Sequence, residues 1–273
     1  MFVERRRDTR LTGAMHLLEV MFHATVRKIR QNHGNAVIGL ALNILQTLVL
    51  VMAFYVLFKV VGIRGSKLRG DFLLYLMSGI FLFLTHNKTL GAVVGSEGPT
   101  SPMMKHAPMN TLVAIVSSAL SVLYLQILSM AVVLYVYHAA FKPITIDEPV
   151  GALAMMLLAW LSGAAVGVLL LAVRPWAPSV VSLVTTVYQR ANMVASGKMF
   201  VANSLPGHII VYFLWNPLFH TIDQTRGFTF LNYNPHFTWI AYPVQLSLAL
   251  IMIGLLGEFF TRKHASLSWS AKE

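Results

Sequence analysis

The chain contains no cysteine and few charged residues: Asp, Glu, Lys and Arg make up 11% of its 273 residues. Soluble domains average about 25% charged residues, so water is not the main solvent of this chain. The absence of cysteine excludes disulfides, thiolate nucleophiles and cysteine–metal sites, and it leaves the compartment undecided. Hydrophobic residues account for 56% of the sequence. This composition predicts an all-α integral membrane protein.

The sequence also lacks the common motifs of energy conversion and hydrolysis. No G-x-x-x-x-G-K-[ST] phosphate loop occurs, because Gly197-Lys198 has Asn192 at the first glycine position and Met199 at the hydroxyl position. Neither H-E-x-x-H nor G-x-S-x-G is present. We therefore expect this chain not to hydrolyse ATP alone, to bind no metal and to have no catalytic residues.

Leu161-Ser162-Gly163-Ala164 is superficially similar to the signature loop of an ABC ATPase, but it lies inside an apolar segment. Gly163 and Gly167 are four residues apart, and small residues at this spacing are typical of faces where membrane helices pack closely. Helix packing is the better interpretation of this pattern.

Positive charge is in excess, since 21 Lys and Arg stand against 10 Asp and Glu, for a net charge of +11. In a soluble protein this excess would suggest nucleic acid. Here the aromatic residues sit inside apolar runs and do not alternate with basic residues as a stacking platform would. We therefore expect no nucleic-acid partner, and we favour anionic lipid headgroups and an anionic cargo.

Six segments are long and apolar enough to be membrane spans, for which about 20 residues are needed. Counting Lys and Arg in the short connections predicts a multi-pass protein with both termini in the cytoplasm. The exception is the outer loop 59–69, whose basic residues are Lys59, Arg64, Lys67 and Arg69. This loop either binds an anionic cargo or contacts anionic lipid. The six predicted spans are 36–61, 71–94, 111–137, 150–173, 179–200 and 240–260.

Residues 1–34 form a separate, amphipathic segment ahead of the first span. Its apolar residues recur at steps of three and four, with His, Glu and Arg between them, which is typical of a helix at the membrane interface. We expect a surface helix here, either as a simple anchor or with a role beside the spans. Residues 35–261 are the predicted six-span domain, and 262–273 a cytoplasmic tail. The apolar residues of the first segment are Leu11, Met15, Leu18, Phe22, Val26 and Ile29.

The fifth predicted span is the most polar one. A polar stripe cannot face lipid cheaply, and an Arg at membrane depth costs about 2.5–3.5 kcal/mol on insertion scales. Arg190 either pairs with a carbonyl or a neighbouring helix, or lines a path for a polar or anionic cargo. We predict that this path is lined by Ser182, Thr186, Gln189, Arg190 and Ser196.

The segment 201–230 is apolar but broken by prolines and glycines, so we expect two short re-entrant helices in place of one straight span. Asn216 is placed to cap the second helix, with Pro217 at its first position and Gly227 at its end. Within this helix we predict an ion pair between Asp223 and Arg226 and a pair between His220 and Gln224. Broken backbone at membrane depth is tolerated where it lines a water-filled cavity.

These residues resemble the permease subunits of ABC exporters for bacterial capsular polysaccharide and lipopolysaccharide O-antigen. The layout agrees over nearly the whole chain: an amphipathic N-terminal helix, six spans and a re-entrant pair before the last. The specific part is the stretch of about 40 residues that begins at Arg190. Its motif, N-P-L-x-H-x-x-[DE]-x-x-R, is carried by Asn216, Pro217, His220, Asp223 and Arg226.

The resemblance implies a homodimer with two separate ATPase subunits, which would bind the ATP and Mg²⁺ that this chain does not bind. It implies that the cytoplasmic loop 95–108 couples to the ATPase through Glu97 and Lys105. It also implies a channel between the two copies for a polysaccharide or lipid-linked glycan. The sequence departs from the family in its basic outer loop, which puts the cargo in doubt, and in Asp223, where Glu is more frequent.

Two other functions remain open at this stage. One is an ABC-type permease for a small drug, a lipid or teichoic acid, because the sequence does not give the width of a channel. The other is a secondary transporter driven by an ion gradient. The sequence shows no inverted repeat, and Glu258 is the main candidate for an intramembrane carboxylate.

Overall fold

A computed structural model describes residues 10–33, 36–61, 71–98 and 111–264 of the protein. The described residues form nine α-helices and one short 3-10 turn, with no strand among them. The prediction of an all-α protein is therefore confirmed for these residues. The α-helices are α1 (Arg10–His33), α2 (Ala36–Val60), α3 (Phe72–Val94), α4 (Thr111–Ala140), α5 (Pro149–Val173), α6 (Pro178–Ala195), α7 (Gly207–Ile210), α8 (Pro217–Thr229) and α9 (Ala241–His264).

Four of these helices are long and apolar enough to cross a membrane: Val37–Val60, Thr111–Ala140, Pro149–Val173 and Ala241–His264. The predicted second and fifth spans also fall on helices, α3 and α6. Each of these two is more polar, because α3 contains His86-Asn87-Lys88 and α6 contains Gln189-Arg190. The fold is thus that of a multi-pass helical membrane protein, and a count of six spans stays a prediction.

Local sequence explains where several helices begin. The Asp71 carboxylate accepts a hydrogen bond from the Leu73 amide at 2.9 Å and caps α3. Pro149 and Pro178 stand at the start of α5 and α6, where the missing proline N–H leaves no hydrogen bond unmade. The predicted sixth segment is likewise a helix, α9, and it runs on to His264.

The expected helix end at Gly227 is wrong, since α8 continues to Thr229. A Cβ atom on Gly227 would lie 2.9 Å from Pro235 Cδ. The glycine therefore allows the chain that follows α8 to pack closely against the helix, and it does not end the helix.

The core lies between α3 and α5. A Cβ on Gly163 would lie 2.4 Å from the His86 carbonyl oxygen, and one on Gly167 would lie 2.8 Å from Val93 Cβ. Only glycine permits this approach, so the predicted helix-packing face is confirmed. On its other side α5 packs against α9, where a Cβ on Gly254 would lie 2.8 Å from Val168 Cγ1.

The remaining long helices cover this core less completely. The expected N-terminal helix is present as α1, and it packs against α4 and α2. It leaves Met15, Leu18 and Phe22 exposed, as an amphipathic helix at a membrane surface would. Helix α6 contacts only α3 and α5 among the larger helix pairings, and most of its surface is open. This open helix carries several of the predicted site residues.

Candidate functional site

A chain of amide side chains joins α3, α6 and α8. The Asn192 amide nitrogen donates to Asn87 Oδ1 at 3.3 Å, and the Asn216 amide nitrogen donates to Asn192 Oδ1 at 2.9 Å. All three side chains are buried. We call this set, Asn87, Asn192 and Asn216, the amide ladder. It fixes the C-terminal half of α6 to α3 and to the start of α8.

Asn216 has two functions in this arrangement. Its side-chain oxygen accepts a hydrogen bond from the Leu218 amide at 3.0 Å, which confirms the predicted cap with Pro217 at the first helical position. Its nitrogen also donates to the Ala195 carbonyl at 3.1 Å, at the last turn of α6. One side chain therefore both starts α8 and ties it to α6.

Arg226 makes a second connection between the same two helices. Its guanidinium is fully buried and donates to the carbonyls of Gly197 at 2.9 Å, Lys198 at 2.9 Å and Phe200 at 2.6 Å. Its central carbon lies 4.3 Å from the centre of the Tyr75 ring on α3, within cation–π range. The segment after α6 is thus held by one side chain of α8.

Gly197 makes this turn possible. Its φ of +75° lies in the left-handed region, which glycine adopts without a Cβ clash. A Cβ there would also lie 2.6 Å from Phe219 Cδ2. Both the backbone angle and the close packing require glycine at the end of α6.

Asp223 does not pair with Arg226, so the predicted ion pair is wrong. Among the described residues, His23 and Glu19 form an ion pair at 3.9 Å, whereas Asp223 and Arg226 do not lie within ion-pair distance of each other. The Asp223 carboxylate accepts hydrogen bonds from the hydroxyls of Tyr233 and Thr238, the latter at 2.8 Å. Burial, together with the adjacent Asp223 charge, raises the pKa of Tyr233 far above its usual value, so this hydroxyl remains a donor. Asp223 therefore ties α8 to the segment before α9.

His220 is also bonded to backbone on both sides. Its Nδ1 accepts from the Trp239 amide at 3.1 Å, so its Nε2 carries the proton and donates to the Leu214 carbonyl at 2.8 Å. The predicted contact with Gln224 is wrong, because the Gln224 amide donates to the Thr238 carbonyl at 2.7 Å. His220 therefore joins the segments before and after α8.

Helix α6 presents three different faces. Residues three and four apart share a face, and Val181, Tyr188 and Asn192 point towards the rest of the chain. A second face is polar and exposed, and a third is apolar and exposed. The polar face contains Ser182, Thr186 and Arg190, and the apolar face contains Val180, Val184, Val187 and Val194.

Two of the predicted path-lining residues lie away from the open polar face. The Gln189 amide donates to the Asn87 carbonyl at 3.0 Å, and Ser196 is fully buried at the end of α6. Arg190 is exposed, and no hydrogen bond or ion pair of its side chain is present within the described ranges. Of the five predicted residues, the structure brings Ser182, Thr186 and Arg190 together on one open face.

A groove of about 840 Å³ lies beside this face, between the end of α3 and the start of α6. Its wall carries the hydroxyls of Ser179, Ser182, Thr185 and Thr186. Arg174, also in the wall, donates to the Val94 carbonyl at 2.8 Å and the Ser96 carbonyl at 3.2 Å. A cation thus stands at the C-terminal end of α3, where the helix dipole is negative.

The remaining predicted residues are only partly described. Glu97 is half-buried just after α3. Lys105 of the proposed coupling loop and Arg64, Lys67 and Arg69 of the outer loop lie outside the described residues. In the part of the chain that is described, no group of three or more His, Asp or Glu side chains is arranged to hold a metal ion.

Sequence reasoning missed two lysines in the helical core. The Lys198 ammonium is buried, donates to the Met193 carbonyl and lies 3.8 Å from the centre of the Phe83 ring. The Lys88 ammonium donates to the Asn43 side chain between α3 and α2. The signal was available, since each is a cation within or beside a predicted span, as is Arg190.

The helices and the buried polar junction define the class: a multi-pass, all-helical membrane protein whose polar side chains join helices within the core. Comparison with protein-family models finds no match, and comparison with curated proteins finds no significant relative.

Proposed function

We propose that this protein is the permease subunit of an ATP-driven exporter that moves a polysaccharide or a lipid-linked glycan across a bacterial inner membrane. In this proposal two copies form a homodimer, and a separate ABC subunit binds ATP and Mg²⁺. Each copy has six spans, in which α3 and α6 cross the membrane with the four more apolar helices. Both termini lie in the cytoplasm.

The observation that carries the proposal is the open polar face of α6. Ser182, Thr186 and Arg190 are exposed on a helix whose neighbouring face is apolar and equally open. At membrane depth water or protein stabilises a face of this kind, because the hydrocarbon chains of lipid offer no hydrogen-bond acceptor to a guanidinium or a hydroxyl. A second copy opposite the polar face would enclose a hydrated path, and the apolar face would contact lipid.

The segment from α7 to α8 supports this interpretation. Two short helices follow α6, and the second is fixed to the end of α6 by Asn216 and Arg226. Hydrogen-bonded polar side chains allow such irregular backbone to exist at membrane depth. We propose that α7 and α8 are a re-entrant pair at the outer end of the path. Movement of α6 would then move α8 with it.

The test uses the intact membrane protein and its genetic neighbourhood. An ABC ATPase encoded beside this chain should co-purify with it, and two copies of each should be present in the complex. Glu97→Gln, at the proposed coupling loop, should leave assembly intact and lower cargo-stimulated ATP hydrolysis about tenfold. Glu148→Gln, at the opposite end of the bundle, is the matched control. Export without any ATPase partner would overturn the proposal.

The cargo separates the proposal from its nearest alternative, a permease for a small drug, a lipid or teichoic acid. Arg190 on the open face and the basic outer loop favour an acidic glycan. Loss of surface glycan on deletion of the gene, with unchanged drug sensitivity, is the expected result. Unchanged surface glycan with altered drug sensitivity would instead support the alternative cargo class.

A second candidate function, an ion-coupled secondary transporter, is favoured by one observation. Glu258 of α9 is buried, and its Oε1 has no hydrogen-bond partner in the described residues. A buried carboxylate without a partner is the kind of group that carries protons in transporters. Glu258→Gln should leave ATP-driven export unchanged. Loss of gradient-driven transport in this variant would support the second candidate.

A further inference from the structure

A polar pocket of about 350 Å³ lies between α2, α3 and α4, on a different side of α3 from the amide ladder. Its volume is at the low end of the range of about 300–1,000 Å³ found for ligand pockets. The polar side chains in its wall are Asn43, Gln46, Lys88 and Gln126. Gln46 and Leu42 are exposed at its mouth, so the pocket opens to the surface of the bundle.

Lys88 gives this pocket an uncompensated positive charge. Its ammonium donates to Asn43 Oδ1, a neutral acceptor, and no carboxylate lies within salt-bridge distance of it in the described residues. A buried or half-buried cation normally has an anionic partner or several hydrogen bonds. The ammonium has three N–H donors, and most of this capacity is unused.

Gln126 supplies a second unused donor. Its Oε1 accepts from the Asn43 amide at 3.1 Å, whereas its Nε2 is buried and has no hydrogen-bond partner among the residues that the structure describes. The Asn43 amide nitrogen also donates to the Leu125 carbonyl at 3.2 Å, and because a carbonyl can only accept, this contact fixes the orientation of the amide. The wall therefore offers two N–H donors, a charged ammonium and a neutral amide, and its described lining residues carry no negative charge. An anion would satisfy both.

The depth of the pocket in the membrane indicates which kind of anion can reach it. Lys88 is six residues before the end of α3 and Asn43 seven residues after the start of α2, so both lie roughly 10 Å from the same end of the bundle. Hydrocarbon core and headgroup layers together span about 40–45 Å. The pocket is thus just below the headgroup layer of one leaflet. Lipid phosphate is the anion most abundant there, and lysine is a common phosphate ligand.

We propose that this pocket binds the phosphate group of an anionic lipid, with Lys88 and Gln126 as its donors. The exposed Leu42 at the mouth lies where the first carbons of an acyl or prenyl chain would leave the pocket. The site is separate from the proposed path along α6.

Native mass spectrometry of the detergent-solubilised protein tests the proposal. The probes are dioctanoyl phosphatidylglycerol, a short-chain polyprenyl pyrophosphate, dioctanoyl phosphatidylcholine and inorganic phosphate. We expect one tightly bound phosphatidylglycerol or polyprenyl pyrophosphate per chain, and at least tenfold weaker binding of the other two. Tighter binding of the pyrophosphate identifies a lipid carrier as the natural ligand, and tighter binding of phosphatidylglycerol identifies a membrane lipid. Equal binding of inorganic phosphate or phosphatidylcholine would overturn the proposal.

Variants tie the binding to the pocket. Lys88→Met should weaken the anionic lipid about 10- to 100-fold, the loss expected for one hydrogen bond to a charged group. Lys59→Met, which removes a lysine at the exposed end of α2, is the control and should bind as the wild type does. Lys88→Arg should retain most of the affinity. Unchanged binding by Lys88→Met would exclude this site.

Gln126→Glu is a second, nearly isosteric variant that keeps the test valid if Lys88→Met does not fold. The new carboxylate would satisfy Lys88 from within the chain, so it should abolish lipid binding and raise the melting temperature in the absence of lipid. A melting temperature that falls while lipid binding persists would show that Lys88 needs no anion, and the proposal would be wrong.

Discussion

Helices α5 and α6 are neighbours in sequence, and each begins with a proline, yet they have opposite surroundings. Helix α5 is apolar throughout and packs on α3, α8 and α9. Its one polar side chain of the middle turns, Ser162, is buried and lies 2.9 Å from His86 Nδ1. Helix α6 has only Val181 and Asn192 fully buried. The chain itself therefore covers most of the surface of α5, whereas it leaves most of the surface of α6 exposed.

This difference separates the part of the molecule whose polar side chains are bonded within the chain from the part whose polar side chains are exposed. The C-terminal end of α6 is held by the amide ladder and by Arg226, all with hydrogen bonds inside the chain. The first three turns of α6 have no such contacts on their polar side, where Ser182 and Thr186 are exposed. In the proposed function, this open face of α6 lines the path between the two copies.

The largest expected effect is at Arg226. Arg226→Met removes the guanidinium from the carbonyls of Gly197, Lys198 and Phe200, of which the first still accepts from the Phe200 amide. Hydrogen bonds to charged groups contribute about 1.5–3 kcal/mol each. We expect a loss of about 4 kcal/mol or more in the free energy of unfolding. Thermal unfolding of the detergent-solubilised protein would measure it.

The control for this change is Arg190→Met, which removes the same group from the open face. It should alter the free energy of unfolding by no more than about 0.5 kcal/mol, as exposed substitutions usually do. If the two variants lost similar amounts of free energy of unfolding, the distinction between the hydrogen-bonded end of α6 and its exposed polar face would be wrong.

A smaller loss is expected at the contact between α3 and α5. Gly163→Ala places a Cβ 2.4 Å from the His86 carbonyl oxygen, and this backbone atom cannot move without separating the helices. Overpacking of this kind costs roughly 1–3 kcal/mol, and we expect the upper end. Gly13→Ala on α1 meets no atom within 4 Å and should be neutral or slightly stabilising. Equal melting temperatures for both variants would count against the close contact.

Asn216 should show an intermediate loss that can be divided in two. Asn216→Ala removes the cap of α8 and both hydrogen bonds to α6, for an expected loss of about 2 kcal/mol. Asn216→Ser keeps a capping oxygen but is too short to reach Asn192, so it should lose about half as much. If serine were as damaging as alanine, the cap would contribute nothing here.

The helices and their starts were predictable because the signals are local. Asn216 followed by Pro217 predicts the start of α8 from two adjacent residues, and Gly163 with Gly167 predicts a packing face from spacing alone. The ion pair between Asp223 and Arg226 also rests on a local signal, the i, i+3 spacing of two charged residues on a helix, but this prediction is wrong. Both side chains bond outside α8: Asp223 accepts from Tyr233, 10 residues later in the sequence, and Arg226 donates to Gly197, 29 residues earlier.

Tertiary partners of this kind decide the candidate site. The spacing of Ser182, Thr186 and Gln189 predicts one continuous polar face on α6. Such a face is wide, however, so a residue at its edge can contact a neighbouring helix while the residues at its centre stay exposed. Gln189 lies at that edge and bonds to the Asn87 backbone, because α3 approaches α6 there. Sequence gives the angular order of side chains around a helix, whereas the side covered by another helix depends on contacts with distant residues.

The smallest effect on stability, and the most direct test of the comparison, comes from single cysteines on α6. The natural chain has none, so each variant carries one thiol. Ser182→Cys and Thr186→Cys on the polar face should react with a membrane-impermeant maleimide about ten times faster than Val184→Cys and Val187→Cys, because only thiols in water ionise readily. Val181→Cys, buried against the chain, should not react. The free energy of unfolding should change by less than about 0.5 kcal/mol at the exposed positions.

The pattern of rates distinguishes three environments for the open polar face. Fast labelling at 182 and 186 with slow labelling at 184 and 187 requires water on one side of α6 and lipid on the other. Slow labelling at all four positions, with no disulfide-linked dimer after oxidation, would mean that lipid surrounds α6 and that Arg190 is satisfied by other means. Slow labelling at 182 and 186 with ready formation of a disulfide-linked dimer would mean that a second copy closes the face without an aqueous path. Only the first pattern is compatible with a conduit, because a hydrated wall and a lipid-facing wall must then occur on the same helix.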